Sequence, residues 1–111
     1  MALNVFNTVT YDVTNTNTVV YTAPTGYTGI VLMAQAANVA ATSTEDISFS
    51  HFDTGTSTET ELIKNFVIPE ADAASLLTGK LIIKSGNSVK AVASANSTFK
   101  ITLSVLESLD A

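Results

Sequence analysis

The sequence predicts an all-β protein, a single antiparallel β-sandwich domain of about eight strands filling residues 1–111. Three observations carry this. Apolar and β-branched residues recur with a period of two, most cleanly in Phe99, Ile101, Leu103 and Val105 against Lys100, Thr102 and Ser104. Clusters of Gly, Asn, Asp, Ser and Pro punctuate the chain every 8–12 residues or so, the spacing of short strands in a sandwich or barrel. Charged residues are only 14% of a chain that is 46% hydrophobic, against about 25% in an ordinary domain. The surface must therefore be built from Thr, Ser and Asn, as on strands that expose hydroxyls. Jelly-roll and immunoglobulin-like strand orders both fit this pattern.

The first strand is expected over Leu3 to Val13. Leu3, Val5, Val9, Tyr11 and Val13 share one face with Asn7 as the polar exception. Asn4, Thr8, Thr10 and Asp12 take the other face, with Phe6 as its apolar exception. Thr14–Asn17 is turn composition, and Thr18–Thr22 is a short β-branched strand. A turn at Ala23-Pro24-Thr25-Gly26, with Pro24 in its second position, leads into Thr28–Asn38. Ile30–Ala34 reads as a central strand with Leu32 in the core, so Leu32→Asp is expected to unfold the domain. Residues 36–44 thin into a loop. Glu45–Phe52 and Thr58–Ile68 form a hairpin about Asp53-Thr54-Gly55. In the second of these, simple alternation groups Leu62, Phe66 and Ile68 on one face and Ile63 and Val67 on the other. Pro69 to Leu77, with acids in its first turn, is the one stretch that suits a short helical turn. Strands Gly79–Lys84, Ser88–Ala95 and Thr98–Leu106 close the chain.

Composition excludes several classes of function. Net charge is −5, and all five basic residues are Lys, so no bidentate Arg grip on phosphate or guanine exists. Lys80, Lys84 and Lys90 offer at most a weak local basic patch, and no nucleic-acid partner is expected. Without cysteine there is no disulfide framework, thiolate metal site or thiol nucleophile. The first six residues have neither a basic region nor an apolar run, so no secretory signal is expected. No apolar stretch reaches the ~20 residues of a membrane helix, and no membrane partner is expected.

Few residues suggest chemistry. His51 is the single histidine, two positions before Asp53, which is the spacing of a base oriented by a carboxylate. No Gly-x-Ser-x-Gly elbow accompanies it, so a partly covered strand residue is the plainer reading. Glu45, Asp46, Asp53, Glu59 and Glu61 gather around one hairpin and could attract a hard cation. Their spacing matches no calcium loop, and a solvated hairpin accounts for them. Gly26 and Gly29 read as turn glycines. No catalytic, cofactor or metal residue is assigned.

Three stretches in order, VVYTAPTGYTGIVLMAQAANV, FVIPEADAASLLTGKLII and SGNSVKAVASANSTFKITLSVLE, span Val19 to Glu107. In this arrangement the chain resembles small structural proteins of tailed-phage virions, from phages of marine or aquatic bacteria. It departs from them at Ser85–Val89, where Gly-Asp is expected. The resemblance implies a non-enzymatic virion component made in the host bacterial cytoplasm. A capsid decoration (cement) protein on the outside of the major capsid lattice comes first. A neck, tail or fibre component, with a host-glycan site on loops Asn38–Glu45 and Asp53–Thr60, is the alternative. Implied partners are the major capsid protein or other virion proteins and further copies of the chain, a trimer being favoured. Leu3, Val5, Phe6, Val9 and Tyr11 are the expected interface, because Phe6 is apolar on an otherwise polar face.

Overall fold

The fold is described here from a computed structural model covering residues 4–40 and 43–110. It contains nine strands: β1 (Asn4–Val13), β2 (Thr18–Thr22), β3 (Tyr27–Asn38), β4 (Glu45–Asp53), β5 (Thr58–Ile68), β6 (Ala73–Ser75), β7 (Leu81–Ile83), β8 (Ser88–Ala93) and β9 (Phe99–Leu109). No helix occurs among the described residues. All pairings are antiparallel, and the strands form two sheets.

The five-stranded sheet runs β1-β9-β3-β6, with β7 also on β3; the four-stranded sheet runs β2-β8-β4-β5. With β6 and β7 counted as one interrupted strand, this is the order of an eight-stranded jelly roll. It selects one of the two strand orders that the sequence left open. β9 lies between β1 and β3 and pairs with each over nearly its whole length. Its alternation is what the sequence promised: Phe99, Ile101, Leu103 and Val105 are buried between the sheets. They meet Ile47, Phe49, Val89 and Ala91 of the opposing layer in one core.

Three local expectations change. The turn into β3 is Pro24–Tyr27, closed by Tyr27 N–H to Pro24 C=O at 3.0 Å. Gly26, at φ 85°, takes the third position, where a type II turn needs positive φ. Pro24 is thus the first residue of the turn and not the second. Residues 69–72 form a tight turn, with Asp72 N–H to Pro69 C=O at 3.2 Å, and the chain then extends into β6. The apolar side of that segment reaches the core through Leu76 without a helix, because an edge position on β3 was open for its backbone groups.

The third change concerns phase. Bulges interrupt the β4–β5 and β3–β9 ladders. At Asn65, φ is 49°, and the Ser48 hydroxyl accepts the Asn65 N–H at 2.9 Å. The extra residue moves Ile63 to the inner side with Phe66 and Ile68 and leaves Leu62 and Val67 exposed. Between Val31 and Met33 the same device turns both Leu32 and Met33 outward, while Val31 and Ala34 stay buried. β3 is therefore buried on one face only, and Leu32 is not a core residue.

Candidate functional site

The residues singled out for chemistry are dispersed. His51 stands opposite Val89 at one end of the sandwich and is half-buried. The Asp53 carboxylate is taken by its own turn, accepting Gly55 N–H at 2.9 Å, and does not orient His51. Glu59 is held on the outer face of the four-stranded sheet. It accepts from Ser50 Oγ at 2.7 Å and from Asn17 Nδ2 at 3.0 Å, with Lys90 Nζ at 3.6 Å. These contacts, led by the Ser50 hydroxyl, lower its pKa below the ordinary carboxylate value. Lys90 in turn lies over the Phe52 ring, 5.0 Å from its centre. Glu61 pairs with Lys64 at 3.2 Å, and Glu45 accepts from Ser94 Oγ at 2.7 Å. No group of three potential metal-ligating residues occurs among the described residues. Lys90 is on one sheet while Lys80 and Lys84 flank β7 on the other, so the three do not make a patch.

Of the two loops expected to hold a glycan, Asn38–Glu45 has residues 41 and 42 outside the described residues. Its end at Glu45 and the start of the Asp53–Thr60 loop are the two ends of the nine-residue β4, about 26 Å apart. One cleft of about 590 Å³ opens at one end of the sandwich, beside Asp12, Asn15, Val39, Asn96, Phe99 and Lys100. Its charges neutralise each other, Lys100 Nζ to Asp12 Oδ1 at 2.8 Å, and Asn96 Oδ1 is used by Asn15 N–H at 2.8 Å. Neither of these pairs supplies a nucleophile and base aimed into the space.

A polar cluster that sequence reasoning missed lies inside the fold. Glu107 continues the inward row of β9 and is buried at 7% exposure. It accepts hydrogen bonds from Tyr21 Oη at 2.6 Å and from Asn7 Nδ2 at 2.7 Å. Tyr21 belongs to the opposite sheet, so the bond ties the two layers together. Space for the phenol comes from Gly29, which faces Glu107 on β3: a Cβ there would stand 2.9 Å from Tyr21 Oη. Gly29 is thus a strand residue kept small by a ring, not a turn glycine. The signal was present in the sequence as two polar exceptions, Asn7 and Glu107, on otherwise apolar faces. Burial first, and the Glu107 carboxylate second, push the Tyr21 hydroxyl well above its ordinary pKa.

The residues expected at an interface divide between two faces. Val9 and Tyr11 pack against the core, and Val5 is half-buried on the same inner side of β1. Phe6 points outward and is 75% exposed. Leu3 lies outside the described residues. Phe6 has company that its own strand does not show. Register places it beside Leu106, Leu106 beside Ile30, and Ile30 beside Ile82, an apolar row across β1, β9, β3 and β7. Ile82 is 62% exposed, and the outward bulge residues Leu32 and Met33 extend the row. Along the strands of this outer face the only charged side chains are the mutually paired Asp12 and Lys100. The outer face of the other sheet instead carries Glu59, Glu61 and Lys90.

The fold has relatives among solved structures. A chain of the acid-stable capsid of the Helicobacter pylori bacteriophage KHP30 matches over 99% of this chain and 90% of its own, at 15% identity and a TM-score of 0.58. A chain from the disulfide-linked pili that form Bacillus endospore appendages matches over 97% and 88%, at 8% identity and a TM-score of 0.56. At these identities the likeness is one of fold. No family model and no curated protein sequence matches the chain.

Proposed function

We propose that this chain is a non-enzymatic structural protein of a phage virion, a capsid decoration (cement) protein that binds the outside of the major capsid lattice and stabilises the head. The observation that carries the reading is the end-to-end match of this jelly roll to a phage capsid chain. The resemblance of three ordered sequence stretches to tailed-phage virion proteins points the same way. The chemistry is compatible with it: Asp53 is engaged in its own turn, Asp12, Glu59 and Glu61 in surface pairs, and Tyr21 with Glu107 in a buried cluster. The partners are the major capsid protein or other virion proteins and further copies of this chain. The outward side of β1, through Phe6, contributes to contact.

Quantitative mass spectrometry of purified virions tests the proposal. Hundreds of copies per particle, lost together with resistance of the head to heat, are expected of a decoration protein. Absence from the particle would sink the virion reading altogether. The pilus likeness supports a second reading, a neck, tail or fibre component. A copy number that is a small multiple of three or six would select it.

A further inference from the structure

We infer that the outer face of the five-stranded sheet is the contact between two copies of this chain, packed face to face about a twofold axis that runs along the strands. The inference does not rest on the virion reading; it follows from the make-up of the face.

The row Phe6–Leu106–Ile30–Ile82, with Leu32 and Met33 beside it, is an apolar centre. Around it lie Thr, Ser, Asn and Gln. An apolar centre depleted of charge, inside a polar rim whose charges are confined to the Asp12–Lys100 pair and to Lys80 and Lys84 at the border, is the anatomy of an interface and not of a solvated sheet. The size also fits. β9 has eleven residues, about 36 Å, and four strand spacings give about 19 Å, so the face offers roughly 700 Å². A stable contact buries about 800 Å² per partner, which this face approaches before any loop is added.

Charge decides both the occupant and the orientation. The chain carries −5, so two copies repel in most arrangements. This face escapes the penalty: its Asp12 and Lys100 cancel, and the residues bordering it at β7 are Lys80 and Lys84. An axis along the apolar row would lay β7 on its own copy and set Lys80 against Lys84. An axis along the strands lays β7 on β1 instead. Phe6 of one copy then covers Ile82 of the other, Leu106 covers Ile30, and both lysines meet the uncharged Asn and Thr of β1. The row is thus complementary to itself when reversed.

Light scattering and sedimentation equilibrium on the purified chain test this. An even multiple of 11.6 kDa is expected, the dimer being the simplest. Phe6→Asp and Ile82→Asp should each weaken association at least tenfold with unchanged strand content, and should melt as the native chain does at dilutions where it is dissociated, since both side chains are solvent-facing in the single chain. Val19→Asp, at an exposed position on the other sheet, should leave association unchanged. The chain has no cysteine, so a mixture of Phe6→Cys and Ile82→Cys proteins reports the opposed pair directly. Under a mild oxidant the mixed disulfide should dominate. An odd-numbered state, an even one indifferent to both substitutions, equal sensitivity to Val19→Asp, or crosslinks confined to like pairs overturns the inference.

Discussion

Glu107 is a carboxylate in a row of apolar side chains, and the residues around it explain one another. Asn7 and Tyr21 satisfy it, and Gly29 makes room for the phenol. Tyr21→Phe removes one donor from a buried carboxylate, which should cost about 1–3 kcal/mol. Gly29→Ala forces the ring from its place and should cost a similar ~1–3 kcal/mol through overpacking. Urea melts of the two variants check both, and the double variant should cost less than the sum because the phenol is the shared partner. The phenol also sets a pH response. A hydroxyl whose pKa is higher folded than unfolded contributes stability that is complete below the unfolded pKa, about 10, and is lost as pH rises above it. Alkaline stability should therefore fall more steeply for the native chain than for Tyr21→Phe. Asn7 was legible as an oddity, while Glu107 lay just past the expected end of its strand at Leu106. Their meeting was not, because it depends on a strand register across positions a hundred residues apart.

At the scale of the element, strand existence was read well and strand phase less well. Alternation is a reliable guide only while the ladder is unbroken, and a single bulge reverses every assignment beyond it. β9 has no break on its own side, and its inward row Phe99, Ile101, Leu103 and Val105 was identified, though not Glu107, which continues it. β3 and β5 are broken, at Leu32 and near Asn65, and there the sequence pattern misassigned faces. The practical consequence is a pair of neighbours with opposite behaviour. Val31→Asp places a carboxylate at a position with 0% exposure and should unfold the domain, since the penalty rivals its entire stability of roughly 5–15 kcal/mol. Leu32→Asp, which the unbroken pattern would have made the lethal one, should leave the melting temperature within a few degrees of the native value. Circular dichroism melts on the two proteins distinguish the readings. Ser48→Ala should cost about 1 kcal/mol by freeing the bulge it clasps.

For the whole molecule, composition and punctuation led to the sandwich, while strand order needed the structure. A jelly roll and an immunoglobulin-like sandwich use the same strands and differ only in which distant segments pair. β6 escaped the sequence reading because three residues of Ala and Ser carry no alternation to detect. The contact face escaped it for a related reason. Phe6 was visible as an outlier, yet its row is assembled from four strands, each contributing one residue. Two faces of unlike chemistry result, one bearing ion pairs and one nearly uncharged. A molecule with such sidedness should associate more tightly as salt is raised if the uncharged face is the one buried, because screening removes the repulsion of the net charge while leaving apolar contact intact. Sedimentation at low and high ionic strength measures that trend.

The place of β9 between β1 and β3 has a consequence for how the protein is made. β1 leaves the ribosome well before its ladder partner β9, and β3 gains one of its two flanks only when β9 arrives. The larger sheet therefore closes in one late event, and the Tyr21 bond between layers closes with it. Chains interrupted before β9 hold half-paired strands and an open interior, which proteases recognise. Arrival of β9 and closure of the larger sheet coincide, so limited proteolysis should cut a chain lacking Phe99–Leu109 throughout while sparing one that has it.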